Sequence, residues 1–288
     1  MWTADRRGRD WPALIDDIGR LIMDIAGILR CPRTGNKLRY RREDSIVHVE
    51  NSGVTYPVVD GIIDFCGRIE DKVSKAYDKV ADRYDAILTR PRMLTRMCNT
   101  VVWGLSDDNT YADTVLSYLP SDFDGTLLDV PMGTGVFTSP LYAKFPKATI
   151  IGVDLSMGIL RKARERFERD GLRNVFLLRA DAANLPLKND AVDLVLSMNG
   201  WHVFTDKQRV VAEIGRVLRK QGTLVACGYV KGARKLSDWF VKHFGARNCF
   251  INPPFFEKDE IASQFKGFTI IRQADVKSLA YFEAIKED

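Results

Sequence analysis

Apolar residues recur at two spacings along this chain, and the change between them divides it. Over residues 14–29, Leu14, Ile15, Ile18, Leu21, Ile22, Ile25 and Leu29 fall three and four apart, which predicts one amphipathic helix after Pro12. The stripe suits docking on the rest of the protein or on a partner subunit, and so allows a homodimer. Asp16, Asp17 and Asp24 sit badly with an anionic membrane surface. Residues 30–66 read differently. Pro32, Thr34, Gly35 and Asn36 cluster as turn formers, β-type runs follow at 45–49 and 54–59, and Asp60-Gly61 marks a tight turn. A charged connector covers 68–75, and helical patterning returns over 74–119, broken near Pro91 and 106–109.

From Gly125 onward, strand and helix alternate. Strand-like runs fall at 126–130, 149–153, 175–179, 191–197 and 223–228, with helices at 138–145, 157–170 and 207–219. A helix over 257–265 and two strands at 268–276 and 280–285 close the chain. Such alternation predicts a parallel sheet with helices on both faces. The expected organisation is a helical segment at 1–29, a small β-rich module at 30–68 and a large α/β domain at 74–288.

Composition narrows this only slightly. At 288 residues, 45% hydrophobic and 28% charged, the chain is ordinary for a globular protein. A net charge of +5 is too small at this length to predict a nucleic-acid partner. Cys31, Cys66, Cys98, Cys227 and Cys249 form no C-x-x-C pair, which points to free thiols in a reducing compartment. No stretch reaches the roughly 18 apolar residues of a membrane span, so the expected location is the cytoplasm.

The chemistry concentrates in Leu127-Leu128-Asp129-Val130-Pro131-Met132-Gly133-Thr134-Gly135. An apolar strand ends in a carboxylate, and a glycine-bearing turn leads into a helix. At the carboxyl end of a parallel strand, that turn faces the ligand crevice. Three later segments strengthen it. Thr149–Asp154 ends a second strand in an acid suited to two ribose hydroxyls. Arg179-Ala180-Asp181-Ala182, followed by Leu185-Pro186-Leu187, ends a third in an acid able to take an adenine amino proton. A fourth apolar run reaches Ser197.

In this order the segments resemble the class I S-adenosylmethionine-dependent methyltransferases, nearest the branch acting on quinones and other small molecules. Arg216–Leu224 is similar to that branch's turn into its fifth strand, and Tyr77–Asp85 to the N-terminal helix that closes over the cofactor. The resemblance covers roughly residues 76–288. It implies a doubly wound, Rossmann-like, mostly parallel seven-stranded sheet and S-adenosyl-L-methionine as cofactor. The implied cofactor-binding residues are Asp129, Pro131, Gly133, Thr134, Gly135, Asp154, Leu155, Asp181, Ala182, Ser197, Tyr77 and Tyr84. A nicotinamide-binding Rossmann enzyme competes within the fold, but its fingerprint wants a small residue where Thr138 stands. The chain also departs from the family turn, with Pro131 in place of its first glycine and Met132 at a commonly small position. Proline supplies no N–H there.

The N-terminal module has its own resemblance. Ile28–Pro32 and Tyr56–Ile62 look like the zinc ribbon attached to some methyltransferases and their activators. Of the four thiolate positions, Cys31 remains; Thr34, Val49 and Ser52 take the others, so no metal is expected. Arg30, Arg33, Lys37, Arg39, Arg41 and Arg42 concentrate here, either as a solvated face or as an RNA surface, with Tyr40 the one nearby aromatic.

For catalysis, Ser197-Met198-Asn199-Gly200-Trp201-His202 follows the fourth strand, where the family's acceptor meets the methyl group. His202 is the candidate general base and Asn199 the orienting group, against a structural role for His202. Trp239, Phe240, Phe244, Phe250, Phe255 and Phe256 read either as an acceptor pocket or as packing under a cap helix. Three functions follow in order. They are a methyltransferase with a small organic acceptor, hydrophobic or aromatic; an RNA methyltransferase; and a non-catalytic S-adenosylmethionine-binding regulator.

Overall fold

The computed structural model describes residues 24–41, 43, 45–67, 110–243 and 252–288. The central strands form because short runs of Leu, Ile and Val can be buried on both faces. They are β5 (Thr126–Asp129), β6 (Thr149–Asp154), β7 (Val175–Arg179), β8 (Val192–Met198) and β9 (Leu218–Tyr229). Side-chain alternation splits them cleanly. Leu128, Ile151, Val153, Val195, Leu224 and Ala226 face one core, and Leu127, Ile150, Leu194, Leu196 and Val225 face the other.

Helix α3 (Met157–Arg169) starts where the Ser156 hydroxyl accepts the Ile159 N–H at 3.1 Å, and it buries Ile159, Leu160, Ala163 and Phe167. Helix α4 (Lys207–Val217) is capped the same way by Asp206, which accepts from Arg209 N–H at 3.0 Å. Its buried Val210, Val211, Ile214 and Val217 repeat at helical spacing. The remaining helices are α1 (Thr110–Leu116), α2 (Ser139–Tyr142), α5 (Lys235–His243) and α6 (Ile261–Gln264). Strands β10 (Phe268–Val276) and β11 (Leu279–Lys286) complete the domain.

The small unit adds β1 (Leu38–Arg41), β2 (Ile46–Val49), β3 (Thr55–Val59) and β4 (Ile62–Asp64). All strands join one sheet, in the order β1-β2-β3-β4-β7-β6-β5-β8-β9-β11-β10. From β4 to β9 neighbours are parallel; β9, β11 and β10 are antiparallel, as are β1 through β4. The expected seven-stranded, mostly parallel sheet is therefore corrected to an eleven-stranded mixed one, because β4 pairs with the exposed edge of β7. Chain order reverses between β5 and β8, the switch point at which open α/β sheets bind ligands.

Local boundaries also shift. The first helix is described only from residue 24 and ends at 26, and Leu29 instead bridges Leu187. The 138–145 helix shortens to α2, and β9 begins directly at the end of α4 rather than at Thr223. The 257–265 helix becomes a 3₁₀ turn, Lys258–Glu260, followed by α6. Residues 14–23, the 68–75 connector and the helical pattern before residue 110 lie outside the described residues.

Met132 and Gly152 fit each other across β5 and β6. A Cβ on Gly152 would run into the Met132 sulfur. Gly152→Ala should cost roughly 1–3 kcal/mol, the scale of overpacking a full core. Adding Met132→Ala should recover part of it. Urea unfolding of the single and double variants checks this; simple additivity would show that the two residues are not coupled.

Candidate active site

A cavity of about 310 Å³ opens at the carboxyl ends of β5 through β8, a volume on the scale of small-molecule sites. Its floor is the turn after β5. The Val130-Pro131 peptide is cis, and Gly133 stands at φ +62, in the left-handed region that glycine adopts without strain. Two bonds pin this turn to β6. Met132 N–H donates to Val153 carbonyl at 2.9 Å, and Gly133 N–H to Asp154 Oδ2 at 3.0 Å. Ser156 N–H holds the other oxygen, Asp154 Oδ1, at 3.0 Å. Both oxygens of the Asp154 carboxylate are thus held by backbone donors.

Of the sequence-predicted cofactor residues, Pro131, Gly133, Thr134, Gly135, Asp154, Leu155, Asp181 and Ala182 line this cavity, as does Asn199. Asp181 is held by Ala183 N–H at 2.9 Å. Asn199 sits at φ +56, and its buried Oδ1 has no hydrogen-bond partner among the described residues. Tyr77 and Tyr84 lie outside the described residues.

Three predicted residues are not on the cavity wall. Asp129 is buried beneath the turn, where it accepts the Tyr142 hydroxyl at 2.5 Å. Ser197 is fully buried in β8. His202 is drawn inward by its neighbour Trp201, which packs on Phe204, Phe256, Phe265 and Phe282. Burial, with the Lys207 charge nearby, pushes the His202 imidazole down to about 3. The ring is buried away from the cavity wall, and its lowered affinity for a proton makes it a weak base in this conformation.

The predicted aromatic pocket separates as well. Phe256 belongs to the Trp201 cluster, Phe255 packs edge-on against Tyr229, and Trp239 is exposed on α5. Phe244 and Phe250 lie outside the described residues, and the aromatics on the cavity wall are Phe137 and Phe204.

Sequence reasoning missed Lys207 and Cys66. The buried Lys207 ammonium donates to the carbonyls of Phe204 at 2.7 Å and Asn252 at 2.6 Å, and burial lowers it to about 8. With Asn252, whose amide donates to Val203 carbonyl at 2.6 Å, it staples the 199–206 loop that walls the cavity. Phe204 and Asn252 are distant in sequence, so no local signal marks this staple. Cys66, from the small unit, also lines the cavity.

In that unit Cys31 is buried, with its sulfur 3.2 Å from the Tyr56 hydroxyl. Burial pushes the thiol up, but hydrogen bonds from Thr34 and Tyr56 outweigh it and leave it lowered. Among the described residues no group of three or more His, Cys, Asp or Glu could hold a metal ion.

The comparisons with known proteins agree with this geometry. A family of proteins described as "Methyltransferase domain" matches residues 127–222. A malonyl-[acyl-carrier protein] O-methyltransferase of Geobacter sulfurreducens is 40% identical over 96 residues, 33% of this chain and 35% of that protein. A demethylmenaquinone methyltransferase of Thermotoga maritima is 28% identical over 159 residues, 55% of this chain and 62% of that one. Among solved structures, the [4+2]-cyclase SpnF superposes with a TM-score of 0.59 at 18% identity, covering 75% of this chain and 95% of that one. The chain spans less than two thirds of the length of these curated relatives. Residues 127–222 thus match a methyltransferase domain, and the fold is the Rossmann-like one shared with solved S-adenosylmethionine-dependent methyltransferases. The β5–α2 turn, β6 and β8 fall inside the matched segment.

The buried Asp129 yields a pH test. Burial, reinforced by the Asp154 charge and opposed by the Tyr142 hydrogen bond, holds its carboxyl well above its ordinary 3.8. Below 3.8 the folded and unfolded chains are both protonated, and the residue costs nothing. Above it the unfolded chain releases the proton more readily, so stability falls as pH climbs toward the folded value. Asp129→Asn cannot ionise. Its melting temperature should match wild type near about pH 4 and exceed it increasingly toward about pH 7. A difference flat with pH would show that Asp129 ionises freely in the folded chain.

Proposed function

We propose that this protein is an S-adenosylmethionine-dependent methyltransferase acting on a small organic acceptor. The observation that carries the reading is the sign of the cavity. Its ionisable wall residues among the described ones are Asp154, Asp181, Asp206 and Cys66, with no lysine or arginine. Such a wall disfavours the pyrophosphate of a dinucleotide and favours a ligand bearing a positive sulfur and hydroxyl groups.

The residues fit that cofactor. Asp154, oriented by two backbone N–H groups, would accept ribose hydroxyls; Asp181 and Ala182 would hold the adenine end; and the Gly133–Gly135 turn would cradle the amino-acid end. When bound, S-adenosylmethionine supplies a methyl group on a cationic sulfur. Asn199 would then orient the acceptor through its unpartnered Oδ1, while Met198, Val203, Phe204 and Val210 exclude water. Displacement at a sulfonium gains much from positioning alone, so the reading needs no base from His202. The apolar wall, and a relative named for a quinone substrate, support a small and apolar or aromatic acceptor. A cytoplasmic location is supported by the free thiols of Cys31, Cys66 and Cys227; among the described residues no helix is long and apolar enough to cross a membrane.

Titration calorimetry should give 1:1 binding of S-adenosylhomocysteine, and Asp154→Ala should weaken it by roughly 2–3 kcal/mol, the scale of losing a charged hydrogen-bond partner. Equal affinity in the variant would remove Asp154 from the site. With a labelled methyl donor, transfer should reach an apolar metabolite extract. Label found only in total RNA would overturn the substrate class.

A further inference from the structure

The small N-terminal unit meets the cavity through a buried ion pair. Strand β4 lies parallel to β7 with Asp64 directly opposite Arg179. The Arg179 guanidinium donates to Asp64 Oδ2 at 3.0 Å, and both side chains are nearly covered, at 12% and 9% exposure. The same guanidinium donates through Nε to the Leu155 carbonyl at 3.0 Å and through Nη1 to the Gly67 carbonyl at 3.0 Å. Asp64 Oδ1 is filled by the N–H groups of Cys66 and Gly67, each at 3.0 Å. Phe65 N–H bonds the Arg179 carbonyl at 2.9 Å, which sets Cys66 on the cavity wall beside Ala180 and Asp181.

Leu155 lies between Asp154 and Ser156, so Arg179 fixes the turn carrying the cavity's most constrained carboxylate. A covered ion pair adds little net stability compared with an apolar contact. Its distinctive product here is geometry: one planar guanidinium locks the β6 turn, the β7 end and the β4 end together.

We propose that the N-terminal β unit is a working part of the ligand cavity, in which Asp64 and Arg179 are positioning residues for the Asp154–Leu155 turn and Cys66 walls the adjoining end. The inference rests on the reading of the cavity as an S-adenosylmethionine site. It assigns the appended unit a role in holding that ligand rather than in reaching an RNA.

The test measures S-adenosylhomocysteine affinity of the full chain by calorimetry, with melting temperature alongside. Asp64→Asn and Arg179→Gln should each weaken binding about tenfold, and the double variant should lose no more than either single one. Asp60→Asn is the control. It breaks the exposed 2.8 Å pair with Arg161 that also ties this unit to α3, away from the cavity. It should leave affinity within about twofold, so loss in the other variants cannot come merely from loosening the unit. Equal losses in all three, or folded Asp64→Asn and Arg179→Gln variants with wild-type affinity, would overturn the proposal. A second readout uses the wild-type chain and so survives poor folding of a variant. Saturating S-adenosylhomocysteine should slow iodoacetamide modification of Cys66, followed by peptide mass, at least about fivefold; no protection would remove Cys66 from the wall. If wild type itself binds no S-adenosylhomocysteine, the reading of the cavity fails and this inference falls with it.

Discussion

The closure of the β5 turn onto the end of β6 is the constraint on which the rest of the site depends. It consists of Met132 N–H on the Val153 carbonyl and Gly133 N–H on Asp154. The second bond requires a residue free to take positive φ at 133 and a carboxylate ending the neighbouring strand. The first requires the backbones to approach closely, which the bare Cα of Gly152 permits beneath Met132. The unusual Pro131 and Met132 therefore leave the closure intact. Proline lacks an N–H, but the two donors used here belong to the residues after it.

The same closure explains why polar groups near the turn divide into two kinds. Asp154 and Asp181 stand at strand ends, with backbone N–H groups to share and a cavity in front of them. Asp129, one strand inward, and His202, behind Trp201, are sealed beneath the wall. Burial favours the neutral forms of both, so their chemistry is spent on packing. The buried Lys207 is a third case. Two carbonyls share its charge, and with the Asn252 amide on the Val203 carbonyl that arrangement holds the 199–206 loop against the cavity.

The α/β alternation was legible because each central strand is a short apolar run and each major helix carries a cap and a 3.6-residue stripe, as Ser156 and Asp206 illustrate. The cavity residues were legible as an ordered set of glycines and acids at strand ends, although Asp129, one of those acids, is buried against Tyr142. What stayed hidden depended on contacts between distant segments. The three residues of β4 carry no strand pattern of their own and are ordered by β7. Cys66 reaches the cavity only through that pairing. His202 looked available because the depth of Trp201 is set by Phe256, Phe265 and Phe282, which come later in the chain.

The added strands also give two of the small unit's basic residues, Arg39 and Arg41, a structural use. Without them β7 would present an open edge beside the cavity, with backbone groups ready to pair with another chain. Pairing β4 there moves the edge out to β1, a four-residue strand in which exposed Arg39 and Arg41 alternate with Leu38 and Tyr40. Short length and projecting charge are the means by which edge strands avoid further pairing. At the opposite edge β10 does the same with a register shift between Ile270 and Arg272. Arg39 is in addition paired with Glu50 at 2.5 Å, so its charge is partly neutralised within the unit. These arginines thus have a use that needs no nucleic acid: they finish a sheet whose interior edge, at β7, is covered by β4 beside the cavity.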